Sequence, residues 1–521
     1  MFCKSEQMNM KWVGDWIGRR ASISPDKIGL YDKGCEQKFT FSELNSRANR
    51  VGNFLLANNI SKGDRICVIS RNRVEQIDMA FACGKIGAVL APISFRLASA
   101  EITDLINRIQ PCALFYEDFF QETIDAVELP NSIHTTIKIS DIESCEYKTQ
   151  VLSCSDNETN VPLSLHETAF LIHTGGTTSI PKICEISHQQ MFWNSVELAA
   201  SSSGMICSTS EILTLPFFHI GGWNIFIPLI HFGGYGVLIR SFDPKEVMEL
   251  IKNESIKMVP LAPAMVLMLT NHPDFDSYTF DSVEMVFTGG AKCQPDVMSP
   301  FWKKNVPTAQ SYGLTEAGPS NFIFIPHEKD MNLVKEKADT VGQSMFHCDH
   351  RIVSKDGKEV ATGQVGILHL RSLHSFQGYL NDEKRTEIIK TDDDWIITGD
   401  LAVERDDGFV TIVGRSDNMF ISGAENISPE EIEDTLLKHP KVDEAICIGI
   451  DDLKWGQVPI AEVITSDNCE MSEEELIDFC SKHLAKFKLP KKINFVEEIP
   501  KTGAGKLNRN AVIQKHKDKK Q

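Results

Sequence analysis

The chain contains no run of about 18 uninterrupted apolar residues, the length a membrane-spanning helix needs, so no span is expected. Its opening residues, M-F-C-K-S-E-Q-M-N-M-K-W, lack the apolar core of a secretory signal. The fourteen cysteines form no C-x-x-C pair and show no paired spacing, which reads as reduced, mostly buried thiols in a cytoplasmic setting. A net charge of −19 argues against nucleic acid as a partner, because such a surface needs a basic stripe. It does not oppose nucleotide binding, which a few local lysines and backbone N–H groups decide. No internal repeat or long low-complexity linker is visible, and the basic end K-H-K-D-K-K-Q reads as a frayed tail.

What is present is a soluble globular composition, 42% apolar and 24% charged, over 521 residues. That length is too great for one ordinary domain and predicts two or three units. Through the first 300 residues or so, short apolar runs alternate with amphipathic stretches. Ile66–Ser70, Ala113–Tyr116 and Val283–Thr288 read as strands. Thr40-Phe-Ser-Glu43 is a capping-box pattern, and Asp243-Pro244 sets a cap residue before proline at a first helical position. Such alternation predicts an α/β domain of mostly parallel sheets with helices on their faces. From about 340 to 413 the segments shorten and Gly and Asp break them, as in a small β-rich subdomain. From Gly414 onward the pattern is compact α+β, with a helix start at Ser428-Pro-Glu-Glu431 and a strand over Ala445–Ile450. The expected division is an N-terminal domain over 1–413, a hinge over 414–418 and a small mobile C-terminal domain over 419–521.

Five segments carry candidate chemistry. In L-I-H-T-G-G-T-T-S-I-P-K, Gly175 and Gly176 would let backbone N–H groups approach a polyphosphate. Thr174, Thr177 and Thr178 would add hydroxyls and Lys182 a positive charge. The G-K-[ST] ending of the Walker pattern is absent, so a bland loop is equally admissible. In S-Y-G-L-T-E, Tyr312 beside Gly313 can stack on a flat base, while Thr315 and Glu316 suit phosphate and a magnesium ion. A strand end with a helix cap accounts for the same residues. W-I-I-T-G-D ends on Asp400, a carboxylate at the end of an apolar strand that could accept from ribose hydroxyls; a turn aspartate is the plain alternative. Arg415 and Asp417 follow in G-R-S-D. Last, I-P-K-T-G-A-G-K-L-N-R places Lys506 in a Gly-rich loop, which suits a cation delivered into a site and later withdrawn.

In this order and spacing the five segments resemble the adenylate-forming superfamily of acyl- and aryl-CoA synthetases, luciferases and peptide-synthetase adenylation domains. The likeness runs from T-F-S-E-L-N near residue 40 to K-L-N-R at 506–509, and takes in G-A-V-L-A-P-I-S-F-R-L and L-P-F-F-H-I-G-G-W-N. The resemblance implies that the loop from Thr174 to Lys182 handles the β- and γ-phosphates of ATP. Gly289, Gly290 and Ala291 would wall the adenine site, with Tyr312 and Gly313 against the base. Thr315 would contact the α-phosphate, Glu316 would support Mg2+, and Asp400 and Arg415 would hold the ribose. Asp417 matches the hinge, and Lys506 would bridge carboxylate and α-phosphate during adenylation. The C-terminal domain would then rotate so that coenzyme A can attack.

His219, in P-F-F-H-I-G-G-W-N, is a candidate gating or substrate contact; a histidine packed between phenylalanines is the alternative. The segment offers no carboxylate for a substrate ammonium, so a fatty or aryl acid is expected rather than an amino acid. The F-H-x-G-G-x-N pattern is most similar to bacterial acyl-CoA synthetases. Trp223, Phe226 and Met265 could line the acyl pocket or belong to ordinary core. Three positions depart from the family's pattern, with Ser179, Ile183 and Ala424 standing where glycines are usual. Glycines restored at 179 and 183 are expected to lower the ATP KM by a small effect, about 1 kcal/mol or less. Transfer to a carrier-protein thiol instead of coenzyme A, a homodimer, and a non-catalytic adenylate fold kept as a binding protein all stay open.

Overall fold

The computed structural model describes residues 9–174, 181–206, 208–326, 330–422, 425–452, 456–466, 471–484, 486–502 and 505–518. Two compact units are distinguished. The first takes in the chain up to Thr174, then Pro181–His350 and Leu370–Ile396; the second takes in Arg351–His369 and Ile397 onward.

The first unit holds two seven-stranded sheets. One runs in the order Gly378–Tyr379, Lys182–Ser187, Thr168–Thr174, Val89–Pro92, Arg65–Ile69, Ala113–Glu117 and Thr135–Ile139. Its last five strands are parallel, and the first three pair antiparallel. The other sheet runs Thr308–Gln310, Met285–Thr288, Met258–Leu261, Ser210–Leu213, Tyr235–Leu238, Ile28–Asp32 and Gln37–Thr40, parallel but for its final hairpin. The expected strands therefore exist, with edges shifted by a residue or two. Nearly continuous apolar runs such as Arg65–Ile69 follow from burial on both faces. Cys67, Ile69, Ala91, Leu114 and Leu171 meet Leu105, Ile106 and Ile109 of helix Ser99–Ile109 in one core. Val237, Val259 and Val286 meet Val247, Ile251 and Leu269 in the other.

The helix starts are built as their residues dictate. The Thr40 hydroxyl accepts from the Glu43 N–H at 3.2 Å, and the Glu43 carboxylate accepts from the Thr40 N–H at 2.8 Å, a complete capping box on helix Phe41–Ala57. Asp243 accepts from the Glu246 N–H ahead of Pro244. Helix Pro429–Leu436 also begins where expected, but the Ser428 hydroxyl donates to the Val413 carbonyl and Glu430 rather than capping it.

A four-stranded sheet, Cys348–Val353, Gly366–Ser372, Ile396–Glu404 and Val410–Arg415, makes up the β-rich stretch. The chain ends in a five-stranded sheet around the long hairpin Val442–Asp452 and Gly456–Thr465. Helices Pro429–Leu436 and Glu473–Ser481 bury Ile432, Leu436, Leu476 and Cys480 in its core. Eleven cysteines fall in the described residues, all unpaired and seven of them buried. No described helix is long and apolar enough to cross a membrane.

Candidate functional site

In the first unit, antiparallel pairing sets Thr174 opposite Lys182, the last and first residues of adjoining strands. Gly175, Gly176, Thr177, Thr178 and Ser179, which lie between them, fall outside the described residues, as does Ala424. The neighbouring strand Gly378–Tyr379 pairs with Cys184 and Glu185 and brings in a residue that local sequence did not signal. The Tyr379 hydroxyl donates to the Glu316 carboxylate at 2.7 Å, and the Lys182 ammonium lies 3.4 Å from the phenol oxygen and 5.1 Å from the ring centroid. Burial first, then the Glu316 charge, raise the phenol's pKa, so it stays protonated and keeps donating. One phenol thus joins the expected phosphate lysine to the expected magnesium carboxylate.

Glu316 is also fixed by its backbone, whose carbonyl accepts from the Phe376 N–H at 2.9 Å. Thr315 is buried, and its carbonyl accepts from Gln190 at 3.0 Å. Gly313 lies in strand Tyr312–Leu314, paired with strand Gly318–Ile323, and a Cβ there would meet the Pro319 carbonyl oxygen at 2.3 Å. Only glycine allows that approach, so Gly313 has a packing reason independent of any ligand. Tyr312, half-buried, leans edge-on against Phe322 at 6.0 Å. Gly289 follows strand Met285–Thr288 and faces Ser311, whose N–H donates to the Thr288 carbonyl at 2.7 Å. Gly290 and Ala291 beside it are exposed.

His219 is not packed between phenylalanines. It is exposed and caps helix Ile220–Phe232, its Nδ1 accepting from the Gly221 N–H at 3.0 Å. His173, one residue before Thr174, lies close enough to feel its charge. Burial first, then His219, push His173 down to about 4, and its Nε2 accepts from the Ser94 N–H at 3.0 Å, so it is neutral at pH 7. No motif signals this second imidazole near His219; its position next to Thr174 is the one local sign. Trp223 and Phe226 are fully buried, with Trp223 stacked on Phe217 at 4.4 Å, and so belong to the core.

The second unit gathers the other charged candidates. Asp400 does not end its strand as expected but sits within Ile396–Glu404, directly opposite Arg415 in register. The two form an ion pair at 3.2 Å, and Asp417 lies 3.7 Å from the same guanidinium. Asp417 occupies a turn in which the Asn418 N–H donates to the Arg415 carbonyl. The Lys506 loop is held by the Thr502 N–H donating to the Lys506 carbonyl at 2.7 Å and the Gly505 N–H to the Thr502 carbonyl at 2.8 Å. Gly505 takes φ +79°, which favours glycine. Although Lys506 is exposed by area, the protein crowding its ammonium lowers its pKa; Asp400 opposes that shift and Arg415 adds to it. Lys506, Asp400 and Arg415 therefore share one electrostatic neighbourhood.

Residues 17–380 match the family described as AMP-binding enzyme, and residues 431–506 its C-terminal domain. The chain belongs to the AMP-binding enzyme family. Among similar members, the feruloyl-CoA synthase of Amycolatopsis sp is 28% identical over 97% of this chain and 99% of its own. A long-chain-fatty-acid–CoA ligase of Mycobacterium tuberculosis is also 28% identical, over 97% and 99%. Of solved AMP-binding enzymes, o-succinylbenzoate CoA synthetase from Bacillus subtilis, in complex with its acyl-adenylate intermediate, is 26% identical. It superposes with a TM-score of 0.84 over 96% of this chain and 97% of that one.

The phenol bridge is testable. Tyr379→Phe keeps the ring against Lys182 but removes the bond to Glu316, a charged-partner hydrogen bond worth about 1.5–3 kcal/mol. The expected result is a rise of about tenfold or more in the apparent KM for magnesium–ATP with the acid KM unchanged. An unaltered nucleotide KM would remove Tyr379 from the site.

Proposed function

We propose that the protein is an ATP-dependent acid–thiol ligase, activating a fatty or aryl carboxylic acid as its acyl adenylate and passing the acyl group to coenzyme A. The observation that carries the reading is the grouping of Lys506 with Asp400 and Arg415, in a chain whose family is established. A carboxylate is a poor nucleophile toward an anionic α-phosphate, and a cation is needed where the two negative charges meet. A lysine held among a carboxylate and a guanidinium on a short loop suits that task. Asp400 accepts from ribose hydroxyls, Arg415 orients Asp400, and Tyr312 offers its face to the base.

The donor set also suits magnesium: a single carboxylate, Glu316, fits an ion that keeps most of its ligands as water and phosphate oxygens. Magnesium would neutralise phosphate charge there, while Tyr379 orients the carboxylate and Lys182 adds a fixed cation. Relatives named for feruloyl and long-chain fatty acids span the aryl and fatty classes and support that breadth. His219 and the neutral His173 near it are the polar groups we assign to the mouth of the acid site.

A panel of carboxylic acids scored by pyrophosphate release, followed by thioester formation with coenzyme A, tests the assignment. Fatty or aromatic acids should release pyrophosphate and proteinogenic amino acids little, because residues 215–224 carry no carboxylate for an ammonium group. A clear preference for an amino acid overturns the substrate class. Pyrophosphate release without thioester overturns the acceptor.

A further inference from the structure

The first unit carries a run of touching aromatic rings at its surface. Trp16 of helix Trp16–Ile23 lies edge-on to Phe192 at 6.4 Å, and Phe192 lies against Trp193 at 5.7 Å. Trp193 continues through His347 to Phe346, and Trp16 through His231 to Phe232. The outer rings are open to solvent, Phe346 being 77% exposed and Phe232 38%, and Ile23, at the end of the Trp16 helix, is 69% exposed. None of these residues belongs to the candidate site. A connected aromatic face of this kind on a water-soluble protein marks an interaction surface.

The segment that carries Trp16 has a charge opposite in sign to that of the whole chain. Residues 9–27 hold the cations Lys11, Arg19, Arg20 and Lys27 against two carboxylates, Asp15 and Asp26, in a protein of net charge −19. Asp15 is buried on Lys85 at 2.6 Å and neutralises nothing outside. Arg20 and Lys27 spend their hydrogen bonds on the carbonyls of Ile230, His231 and Gly233 rather than on carboxylates, so their charge persists. Glu197, which meets His347 at 2.6 Å, is fully buried.

We propose that this face docks the protein on an anionic lipid bilayer. Tryptophan favours the headgroup boundary, where its apolar body and indole N–H are both accommodated, phenylalanine supplies apolar surface to insert, and adjacent lysine and arginine select anionic lipid. A second copy of the chain fits less well, because a two-fold contact through this face would set the same cations against each other. The binding is peripheral and owes nothing to a membrane span.

Co-sedimentation of the full chain with vesicles of phosphatidylcholine, with and without phosphatidylglycerol, decides it. The protein should pellet with the phosphatidylglycerol vesicles, far less with phosphatidylcholine alone, and less as salt rises. Phe346→Ser and Ile23→Ser, both at exposed positions, should each lower partitioning on the order of tenfold. Lys11→Glu with Arg19→Glu should abolish the preference for phosphatidylglycerol. Adenylation in solution and thermal unfolding should be unchanged in all three variants, which separates this proposal from that of the ligase. Failure to pellet, equal binding to both vesicles, or a concentration-dependent dimer that Phe346→Ser dissolves would each overturn it.

Discussion

Replacing Lys506 with alanine is expected to slow acyl-adenylate formation by roughly 10²-fold or more, the scale of losing one transition-state charge stabiliser. The ammonium shares its electrostatic neighbourhood with Asp400, which favours its charge, and with Arg415, which opposes it. Transfer from a supplied acyl adenylate to coenzyme A should survive, because no charge then builds between a carboxylate and the α-phosphate. Asp417→Pro is the complement, fixing φ at the proposed hinge and blocking transfer while sparing adenylation. Proline at this turn position also disfavours the turn closed by Asn418 and Arg415, so unfolding must be measured alongside. Equal loss of both half-reactions in each variant, in step with its stability, would defeat the account in which one lysine serves only the first step.

Sequence patterns spoke clearly where the physics is local. The capping box at Thr40, the Asp243-Pro244 start and the buried apolar runs depend on residues within one turn or one strand, and they formed as expected. Asp400 was found by type but misplaced by element, because Ile396–Glu404 passes through Gly399 and continues where the pattern suggested an end. Tyr379 could not be found in this way at all. Its meaning comes from pairing with a strand almost two hundred residues earlier in the chain, and nothing in F-Q-G-Y shows which carboxylate the phenol will reach. His219 was legible only as a candidate gating or substrate contact; its capping bond to Gly221 needs the helix axis, and its companion His173 needs the neighbouring strand. Ile183 misleads most directly, since it fills a motif position that usually holds glycine and yet is a buried strand residue.

Ile183 is 1% exposed and belongs to a strand, packed in the core that includes Leu171, Leu105 and Ile109. Its carbonyl accepts from the Leu380 N–H at 2.8 Å, which ties the Tyr379 strand to the strand of Lys182. The expectation that a glycine here lowers the ATP KM is therefore set aside. Ile183→Gly removes a whole buried side chain and adds backbone freedom to a strand, at a combined cost of about 3–5 kcal/mol. Ile183→Val removes one methylene and should cost about 1 kcal/mol. Urea unfolding of the two variants beside the parent checks the ranking. Because the strand positions Lys182, the glycine variant should also raise the ATP KM rather than lower it, while the valine variant leaves it near the parent value. A glycine variant as stable as the parent, with tighter ATP binding, would show that Ile183 only stiffens the loop and that the core around it closes without it.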